Sequence, residues 1–459
     1  MRRAFVLGAL LFASCATAPL PQSLGESLGQ SIGQRIDAIT NKPSLSGAIW
    51  GIDVVDDRGN TIYARNERTL LIPASNRKLF AAATVASCEG LDRRIATEFW
   101  SDGSDIIIRG GGDPSLGGRW AFDRDAVFAP FVNALRSRNV ADVNNVIADV
   151  SLFDRTTIPG SWKVGNLGSD YATPVDALAY NENVIGIVAD HCASPVITTD
   201  PAFVPASAAV VCGKGEPFVR SGNANEVTIS GTMQEHFQAL AGIGDPALYA
   251  AQALLDALRH AGINVRGKAV VNTTPHAWLE RISVVESPPL WQLLSTVLKP
   301  SQNLYAEMLF KGLSASAAQP ASYEASEDIE RRFLTTEVGI NAADFRFVDG
   351  CGLSPDDLVA PRAIVTLLRW MNDPNRRGVW SMMLARPGEE GTLRRRLLPF
   401  ASRMRGKTGS INGVNALSGI LDGPHGTHRY FTIIINHHTA ESSDALHAID
   451  AIVSEIANW

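Results

Sequence analysis

The segment that most constrains the fold is IPASNRKLFAAATVA, residues 72–86, where a proline-containing stretch leads directly into an almost wholly apolar helix. Ala, Leu and Phe propagate a helix well and leave no broad polar face, so the helix is predicted to lie buried at the centre of the molecule. Pro73 disfavours helix for its predecessor, and Ser75 is a good N-cap residue. Ser75 and Lys78 therefore stand at the entrance of a buried helix.

The spacing of Ser75 and Lys78 places both side chains on one face of the first helical turn, where free backbone N–H groups also point. With 35 serines and 8 lysines in the chain, one S-x-x-K is close to what chance supplies. A capping serine beside a solvated lysine is the ordinary explanation. The buried helix that follows the pair favours a chemical role for Ser75 and Lys78 instead.

Two further motifs support that interpretation. The tripeptide Lys407-Thr408-Gly409 is expected by chance only about 0.04 times in a chain of this composition. An S-x-N begins at four serines, and context selects Ser301-Gln302-Asn303, which opens a predicted helix directly after Pro300. The other three begin at Ser137, Ser221 and Ser410.

A serine hydroxyl becomes a nucleophile when a base removes its proton, and Lys78 is that base if burial or a second cation lowers its pKa. Lys407 on an edge strand would supply the second charge, and its ammonium with the Thr408 hydroxyl would bind a substrate carboxylate. Gly409 would let a peptide pair along the strand.

The remaining roles concern charge and proton transfer. The backbone N–H groups of Ser75 and Ser410 would form an oxyanion hole. Ser301 would relay a proton between Lys78 and a leaving amine, and Asn303 would hold a substrate amide.

Composition indicates a globular protein with an ample core: 459 residues, of which 45% are hydrophobic and 19% charged. The net charge of −6 and the lack of a basic stripe argue against nucleic acid as a partner. Strands predicted within residues 47–69, 402–423 and 428–438 indicate one antiparallel sheet flanked by helices, built from both ends of the chain. The middle, about 95 to 285, is rich in short strands, Gly and Pro and is predicted to be inserted, mostly β material.

The N-terminus, MRRAFVLGALLFASCATAPLPQ, has a positive start and an apolar run too short to span a membrane, which predicts an export signal. Its end has two interpretations. LFASC resembles a lipoprotein signal with Cys15 as the lipidated residue, although Phe12 stands where leucine is usual; ordinary cleavage after Ala16 is the alternative.

The remaining cysteines suit an exported protein. Cys192 and Cys212 flank what reads as two strands and a turn, so a local disulfide is predicted between them. Cys88, at the end of the Ser75 helix, is predicted to be a buried small hydrophobe. The histidines show no metal-ligand spacing; His437 and His438 are adjacent on a predicted strand and would face opposite ways, and neither metal nor cofactor is predicted.

The motifs S-x-x-K, S-x-N and K-T-G occur in this order along the chain, as in the serine penicillin-binding proteins. The chain resembles that family, and more narrowly its class C low-molecular-mass D-alanyl-D-alanine carboxypeptidase/endopeptidase branch. The resemblance includes GGGDPSL (110–116), YNEN (180–183) and DGCGLS (349–354) and covers nearly the whole chain after about residue 35. It implies an α+β fold: a penicillin-binding-protein/β-lactamase-like transpeptidase domain with a mostly β insertion of one or two domains.

By the same resemblance Ser75 is the acylated nucleophile, Lys78 the base, Ser301 and Asn303 the second motif, and Lys407 and Thr408 the carboxylate site. The family usually has serine where this chain has Cys351, which implies either altered activity or a neutral exchange of similar size. GGGDPSL is better explained as a turn leaving a strand. A direct role for Tyr180 or Asn181 is the less favoured explanation of YNEN.

The expected organisation is a signal peptide over 1–15, a linker over 16–35, a serine peptidase domain over 36–95 and 285–459, and inserted domains over 96–284. The expected activity is hydrolysis of peptidoglycan stem peptides in the periplasm, with β-lactams as covalent inhibitors and a lipid anchor if Cys15 is modified. A β-lactamase and a catalytically idle wall-binding protein are the alternatives. A homodimer remains open.

Overall fold

The computed structural model describes residues 24–120, 123–274, 280–316 and 318–459. The helices are α1 Leu24–Thr40, α2 Arg77–Glu89, α3 Ala129–Ser137, α4 Pro246–His260, α5 Leu290–Leu298, α6 Asn303–Gly312, α7 Tyr323–Phe333, α8 Pro361–Met371, α9 Arg377–Met383 and α10 Ser442–Asn458. Among the described residues, no helix is long and apolar enough to cross a membrane.

The strands alternate with these helices along the chain. The first six are β1 Ile49–Asp56, β2 Thr61–Arg65, β3 Ala96–Ser101, β4 Ile106–Arg109, β5 Asp142–Val143 and β6 Val146–Asp149. The next six are β7 Val184–Asp190, β8 Val196–Asp200, β9 Ala206–Cys212, β10 Phe218–Ser221, β11 Val227–Met233 and β12 His236–Gly242. The last eight are β13 Asn264–Val265, β14 Ala269–Asn272, β15 Glu280–Glu286, β16 Phe345–Arg346, β17 Leu358–Val359, β18 Met404–Ile411, β19 Val414–Asp422 and β20 His428–Asn436.

Strands from both ends of the chain form one antiparallel sheet in the order β18-β19-β20-β1-β2, as predicted. Both faces of this sheet are buried, so β20 is buried from Tyr430 to Asn436: Ile433 and Ile435 face α1 and α10, and Ile434 faces the layer that contains α2. Helices cover the sheet on both sides. The predicted α+β class with an antiparallel sheet flanked by helices is confirmed.

Helix α2 lies in the larger core layer, and every residue from Arg77 to Val85 is buried. The helix begins later than predicted. Ser75 lies in the preceding 3₁₀ turn, Ala74–Asn76, where Ala74 has a φ of 48°, and the N-cap of α2 is Asn76. The Ser75 side chain is therefore free of a capping role.

The middle of the chain contains several smaller sheets. A mixed sheet in the order β14-β6-β4-β3-β15 packs with α3 and α4, and two three-stranded sheets, β12-β7-β8 and β10-β11-β9, lie within its long connection. The domain boundaries proposed from the sequence stay a prediction. Ile32 and Ile36 of α1 are buried in the core with α10.

The cysteines differ in part from expectation. Cys192 and Cys212 are joined in a disulfide bond, and the strands between them, β8 and β9, belong to different sheets. Cys351 is buried. Cys88 is exposed, because the last turn of α2 emerges from the core at the surface, so the prediction of a buried Cys88 is wrong. Cys15 and the predicted signal peptide lie outside the described residues.

Candidate active site

Ser75 and Lys78 are in direct contact at the start of α2. Lys78 Nζ lies 3.0 Å from Ser75 Oγ, and the Lys78 side chain is fully buried. The 3₁₀ turn before α2 keeps the two residues on one face of the chain, so the contact follows from local geometry. The structure thus places a hydroxyl beside an amine that is shielded from water.

Lys78 has two further partners from distant parts of the chain. Its ammonium donates to Asn303 Oδ1 at 2.6 Å and to the Cys351 carbonyl oxygen at 2.8 Å. All three N–H donors of a lysinium ion are therefore used. Burial lowers the pKa of Lys78, which favours the neutral amine whose lone pair accepts a proton from Ser75.

Ser301 contacts Lys407. Lys407 Nζ donates to Ser301 Oγ at 2.7 Å and to the Thr408 carbonyl oxygen at 2.8 Å. Ser301 has a φ of 68°, an uncommon conformation for a side-chain-bearing residue, which turns the chain just before α6 begins at Asn303. In this structure Lys407 is therefore the ammonium next to Ser301, where the sequence suggested Lys78.

The Asn303 amide is engaged on both sides by the protein. Its oxygen accepts from Lys78, and its Nδ2 donates to the Tyr171 carbonyl oxygen at 2.7 Å. The predicted role of holding a substrate amide would require these contacts to rearrange. In this structure Asn303 instead links Lys78 to the segment that contains Tyr171.

Lys407 is fully buried, and its pKa is well below the usual value, first because of burial and then because of the Lys78 charge. The two lysines share one region of low dielectric, so a positive charge on one disfavours a positive charge on the other. The Thr408 hydroxyl donates to Thr392 Oγ1 at 2.8 Å, and its carbonyl oxygen receives the Lys407 bond.

Strand β18 is the terminal strand of the main sheet, and part of its outer edge is occupied. The Gly406 N–H and carbonyl group both pair with Ala385, at 2.9 and 3.1 Å. Because alternate residues of a strand direct their backbone groups to the same side, the Ser410 N–H also points to this outer edge. This is the orientation that the predicted oxyanion hole requires.

Gly409 permits β18 to pass close to the Ser75 turn. A Cβ atom at residue 409 would lie 2.7 Å from the Pro73 carbonyl oxygen and 3.1 Å from the Ser75 nitrogen. Both neighbours are backbone atoms, so no side-chain rotation relieves the contact. Gly409 thus brings the Ser75 N–H beside the edge strand.

Ser410 lies opposite Asn415 on β19, and Asn415 Nδ2 donates to Ser410 Oγ at 3.0 Å. Asn415 Oδ1 in turn lies 2.8 Å from His438 Nε2. His437 and His438 follow β20, which ends at Asn436, so the strand placement predicted for them is wrong; His437 is exposed and His438 is buried.

A cleft of about 780 Å³ opens beside Ser75. Its lining includes Ser75, Lys163, Tyr171, Ser301, Asn303, Ser410, His438 and Glu441. The cleft therefore combines the predicted nucleophile, the second motif and the edge strand with side chains that the sequence did not indicate as site residues: Lys163, Tyr171, His438 and Glu441.

A layer of buried charges beneath α2 was missed. Arg77 forms a bidentate ion pair with Glu330, at 2.7 and 2.8 Å, and donates to the Asp349 carbonyl oxygen at 2.8 Å. Glu307 accepts from the Gly350 N–H, at 3.0 and 3.1 Å to its two oxygens. The available signals were that Arg77 adjoins Lys78 and that Glu307 follows Asn303 by four residues, on the same helix face.

The segments GGGDPSL and YNEN have structural explanations. In GGGDPSL, Asp113 Oδ1 accepts from the Ser115 N–H at 2.8 Å, as in a turn. In YNEN, Tyr180 is buried, and Glu182 accepts from Gln302 Nε2 at 2.5 Å and pairs with Arg119. YNEN thus contacts the second motif through the hydrogen bond between Glu182 and Gln302.

Comparison with known proteins places this geometry in a family. Residues 32–456 match the D-Ala-D-Ala carboxypeptidase 3 (S13) family. A D-alanyl-D-alanine carboxypeptidase of Actinomadura sp. (strain R39) is 29% identical over 461 residues, covering 92% of this chain and 84% of the relative.

Solved structures agree in fold. Penicillin binding protein 4 (dacB) of Haemophilus influenzae superposes with a TM-score of 0.82 at 21% identity, covering 92% of this chain and 99% of that one. The same protein in complex with a β-lactam gives a TM-score of 0.77 at 20% identity, with the same coverage. With the family match spanning almost all of the described core, the chain belongs to the D-Ala-D-Ala carboxypeptidase 3 (S13) family.

Proposed function

We propose that the protein is a serine D,D-carboxypeptidase and D,D-endopeptidase that hydrolyses D-alanyl peptide bonds in peptidoglycan stem peptides. The observation that carries the proposal is the contact of 3.0 Å between Ser75 Oγ and the buried Lys78 Nζ at the edge of the cleft. Membership of the S13 family supports the same substrate class.

In the acylation step, neutral Lys78 removes the proton of the Ser75 hydroxyl as Oγ attacks the carbonyl carbon of the D-alanyl bond. The N–H groups of Ser75 and Ser410 stabilise the oxyanion of the tetrahedral intermediate. Its collapse breaks the C–N bond and leaves an ester on Ser75. Water then hydrolyses that ester and regenerates the hydroxyl.

The leaving amine needs a proton at collapse. Ser301 Oγ accepts a hydrogen bond from Lys407, so its own hydrogen is free to go to the amine while Lys407 replaces it. In deacylation the neutral Lys407 takes a proton from the attacking water and Lys78 returns its proton to Ser75 Oγ, which restores both lysines and the hydroxyl. Lys407 and Thr408 lie beside each other at the edge strand, where the sequence predicts the substrate carboxylate.

β-Lactams follow the same first step, because their ring presents an acyl group and a carboxylate as the peptide does. They would acylate Ser75 and remain as the ester. A structure of the Haemophilus influenzae relative with a β-lactam supports this class of ligand.

The test is incubation of the purified protein with cross-linked muropeptides, with the products resolved by mass. We expect loss of terminal D-alanine and cleavage of the D-alanyl cross-link, both absent from Ser75→Ala. Turnover of β-lactam with intact muropeptides would identify a β-lactamase instead. Binding without any product would identify an idle wall-binding protein.

We further propose export to the periplasm with lipidation of Cys15. The apolar leader and the LFASC sequence support this location. Cys15→Ser should release the protein from the membrane fraction and remove the mass of the lipid. A wild-type protein that is wholly soluble and begins at Thr17 would contradict the anchor and establish ordinary cleavage.

A further inference from the structure

We propose that Glu307 is a positioning residue for Lys78 whose charge sets the pH above which Lys78 acts as the base, and that the Cys351 thiol beside it modulates that charge. This inference rests on the proposed function of the Ser75 site. It concerns a buried carboxyl group that takes no part in the chemistry described above.

The position of Glu307 connects it to two of the three acceptors of Lys78, Asn303 and Cys351. On helix α6 it lies four residues after Asn303, whose Oδ1 accepts from Lys78. Its carboxylate also holds the Gly350 N–H, next to Cys351, whose carbonyl oxygen is the other acceptor. One fully buried carboxyl group therefore lies on the helix that carries one of these oxygens and holds the loop that carries the other.

The Cys351 thiol lies between two carboxyl groups. The sulfur of Cys351 and carboxylate oxygens of Glu307 and Asp349 lie within 4.8 Å of one another. The thiol donates a weak hydrogen bond to Asp349 Oδ2, at 3.9 Å, and its contact with Glu307 acts to lower the pKa of that carboxyl. A thiol is a weak donor, so this stabilisation of the Glu307 charge is small.

Most charges around this cluster do not change near neutral pH. Hydrogen bonds from Asp357 and from backbone groups outweigh burial and keep the pKa of Asp349 below its usual value. Burial raises the pKa of both the Cys351 thiol and the Tyr323 hydroxyl well above the usual values, so both stay neutral. Arg77 stays charged in its pair with Glu330.

Glu307 behaves differently from these neighbours. Burial, with the Asp349 charge second, raises the pKa of Glu307 to about 7. Its charge therefore appears near neutral pH. Burial lowers the pKa of Lys78, and negative charge on Glu307 opposes that decrease. A charged Glu307 thus favours the lysinium form, and a neutral Glu307 favours the base.

Two substitutions should therefore move the pH profile in opposite directions. Glu307→Gln removes the charge, so Lys78 loses its proton more easily, and the acidic limb of the acylation profile should move to lower pH by about 0.5 to 1 unit. Cys351→Ser places a stronger donor beside Glu307, so its carboxylate forms at lower pH, and the limb should move upward by a few tenths of a unit. The double variant should follow Glu307→Gln.

The measurement is the second-order rate constant of acylation by a fluorescent penicillin, from about pH 5 to about pH 10. Cys88→Ser is the matched control for the thiol, because Cys88 is a free, exposed cysteine. Glu327→Gln is the control for the carboxyl, because the pKa of Glu327 is also raised to about 7, and the charges acting on it include Arg77 and Glu330. Neither control should move the limb.

A purely structural role for Glu307 predicts a lower rate at every pH with an unmoved limb, which would overturn the proposal. Shifts in the same direction for the two variants would show that the thiol does not govern Glu307. If Glu307→Gln fails to fold, Cys351→Ser still decides, since it keeps the carboxyl group. Failure of the proposed function is distinguishable, because the wild type would then not be acylated at all.

Discussion

At the scale of the residue, the contact between Ser75 and Lys78 makes a sharp prediction. Ser75→Ala should abolish covalent labelling by fluorescent penicillin, because the proposed mechanism acylates Ser75 Oγ. Lys78→Ala should be nearly as damaging, since a nucleophile and its base act as a unit. Labelling is read on a gel, and thermal unfolding confirms that Ser75→Ala folds, with a stability change within about 0.5 kcal/mol. Labelling of a folded Ser75→Ala protein would refute the assignment.

Lys407 has two possible roles that one pair of variants separates. If Lys407 carries the positive charge of the lysine pair, Lys407→Met removes that charge, so Lys78 should hold its proton to higher pH and the acidic limb should rise by about one unit or more. Lys407→Arg keeps the charge but replaces a compact ammonium with a planar fork, so substrate binding should weaken while the limb stays near its wild-type position. Acylation rates against pH measure both. A Lys407→Met enzyme with weaker binding and an unmoved limb would leave only the carboxylate role.

At the scale of the element, the approach of β18 to the Ser75 turn depends on Gly409. Gly409→Ala puts a methyl group 2.7 Å from the Pro73 carbonyl oxygen, so the strand or the turn has to move. We expect acylation to fall about 100-fold, because small displacements of reacting groups are costly, and stability to fall by about 1–3 kcal/mol.

The matched control for this prediction is Gly160→Ala. A Cβ at residue 160 meets nothing within 4 Å, so acylation and stability should change little. Penicillin acylation kinetics and urea unfolding provide the two measurements. Wild-type acylation in Gly409→Ala would show that the close packing of strand and turn is dispensable.

At the scale of the whole molecule, the middle of the chain, which contains YNEN, supports the second motif through Glu182. Glu182 accepts from Gln302, the middle residue of S-x-N, and also pairs with Arg119. Glu182→Ala should loosen the turn at Ser301 and lower the acylation rate about tenfold, a loss of about 1.4 kcal/mol in transition-state stabilisation.

The corresponding control is Glu280→Ala, which removes an exposed carboxylate from β15 and should leave acylation unchanged. Stopped-flow acylation and thermal unfolding of both variants are compared. An unchanged rate in Glu182→Ala would mean that the main sheet and its helices hold Ser301 without support from Glu182 and the middle of the chain.

Much of the fold and site was predictable because it depends on local pattern. The apolar run after Lys78 identifies a buried helix, the alternation near both ends of the chain identifies one sheet, and K-T-G identifies its edge strand. Ser75 and Lys78 meet through their spacing alone. These features need no knowledge of which distant segments come together.

The tertiary structure decided the partners that each polar group has. Ser301 lies beside Lys407, the Asn303 amide is held between Lys78 and the Tyr171 carbonyl oxygen, and Glu307 braces the loop that contains Cys351. Hydrogen bonds act over about 3 Å, so a contact between residues far apart in sequence exists only after the whole chain has packed. Burial also exists only after the whole chain has packed. The sequence pattern therefore indicates Lys78 as a base, but only the buried surroundings of Lys78 lower its pKa.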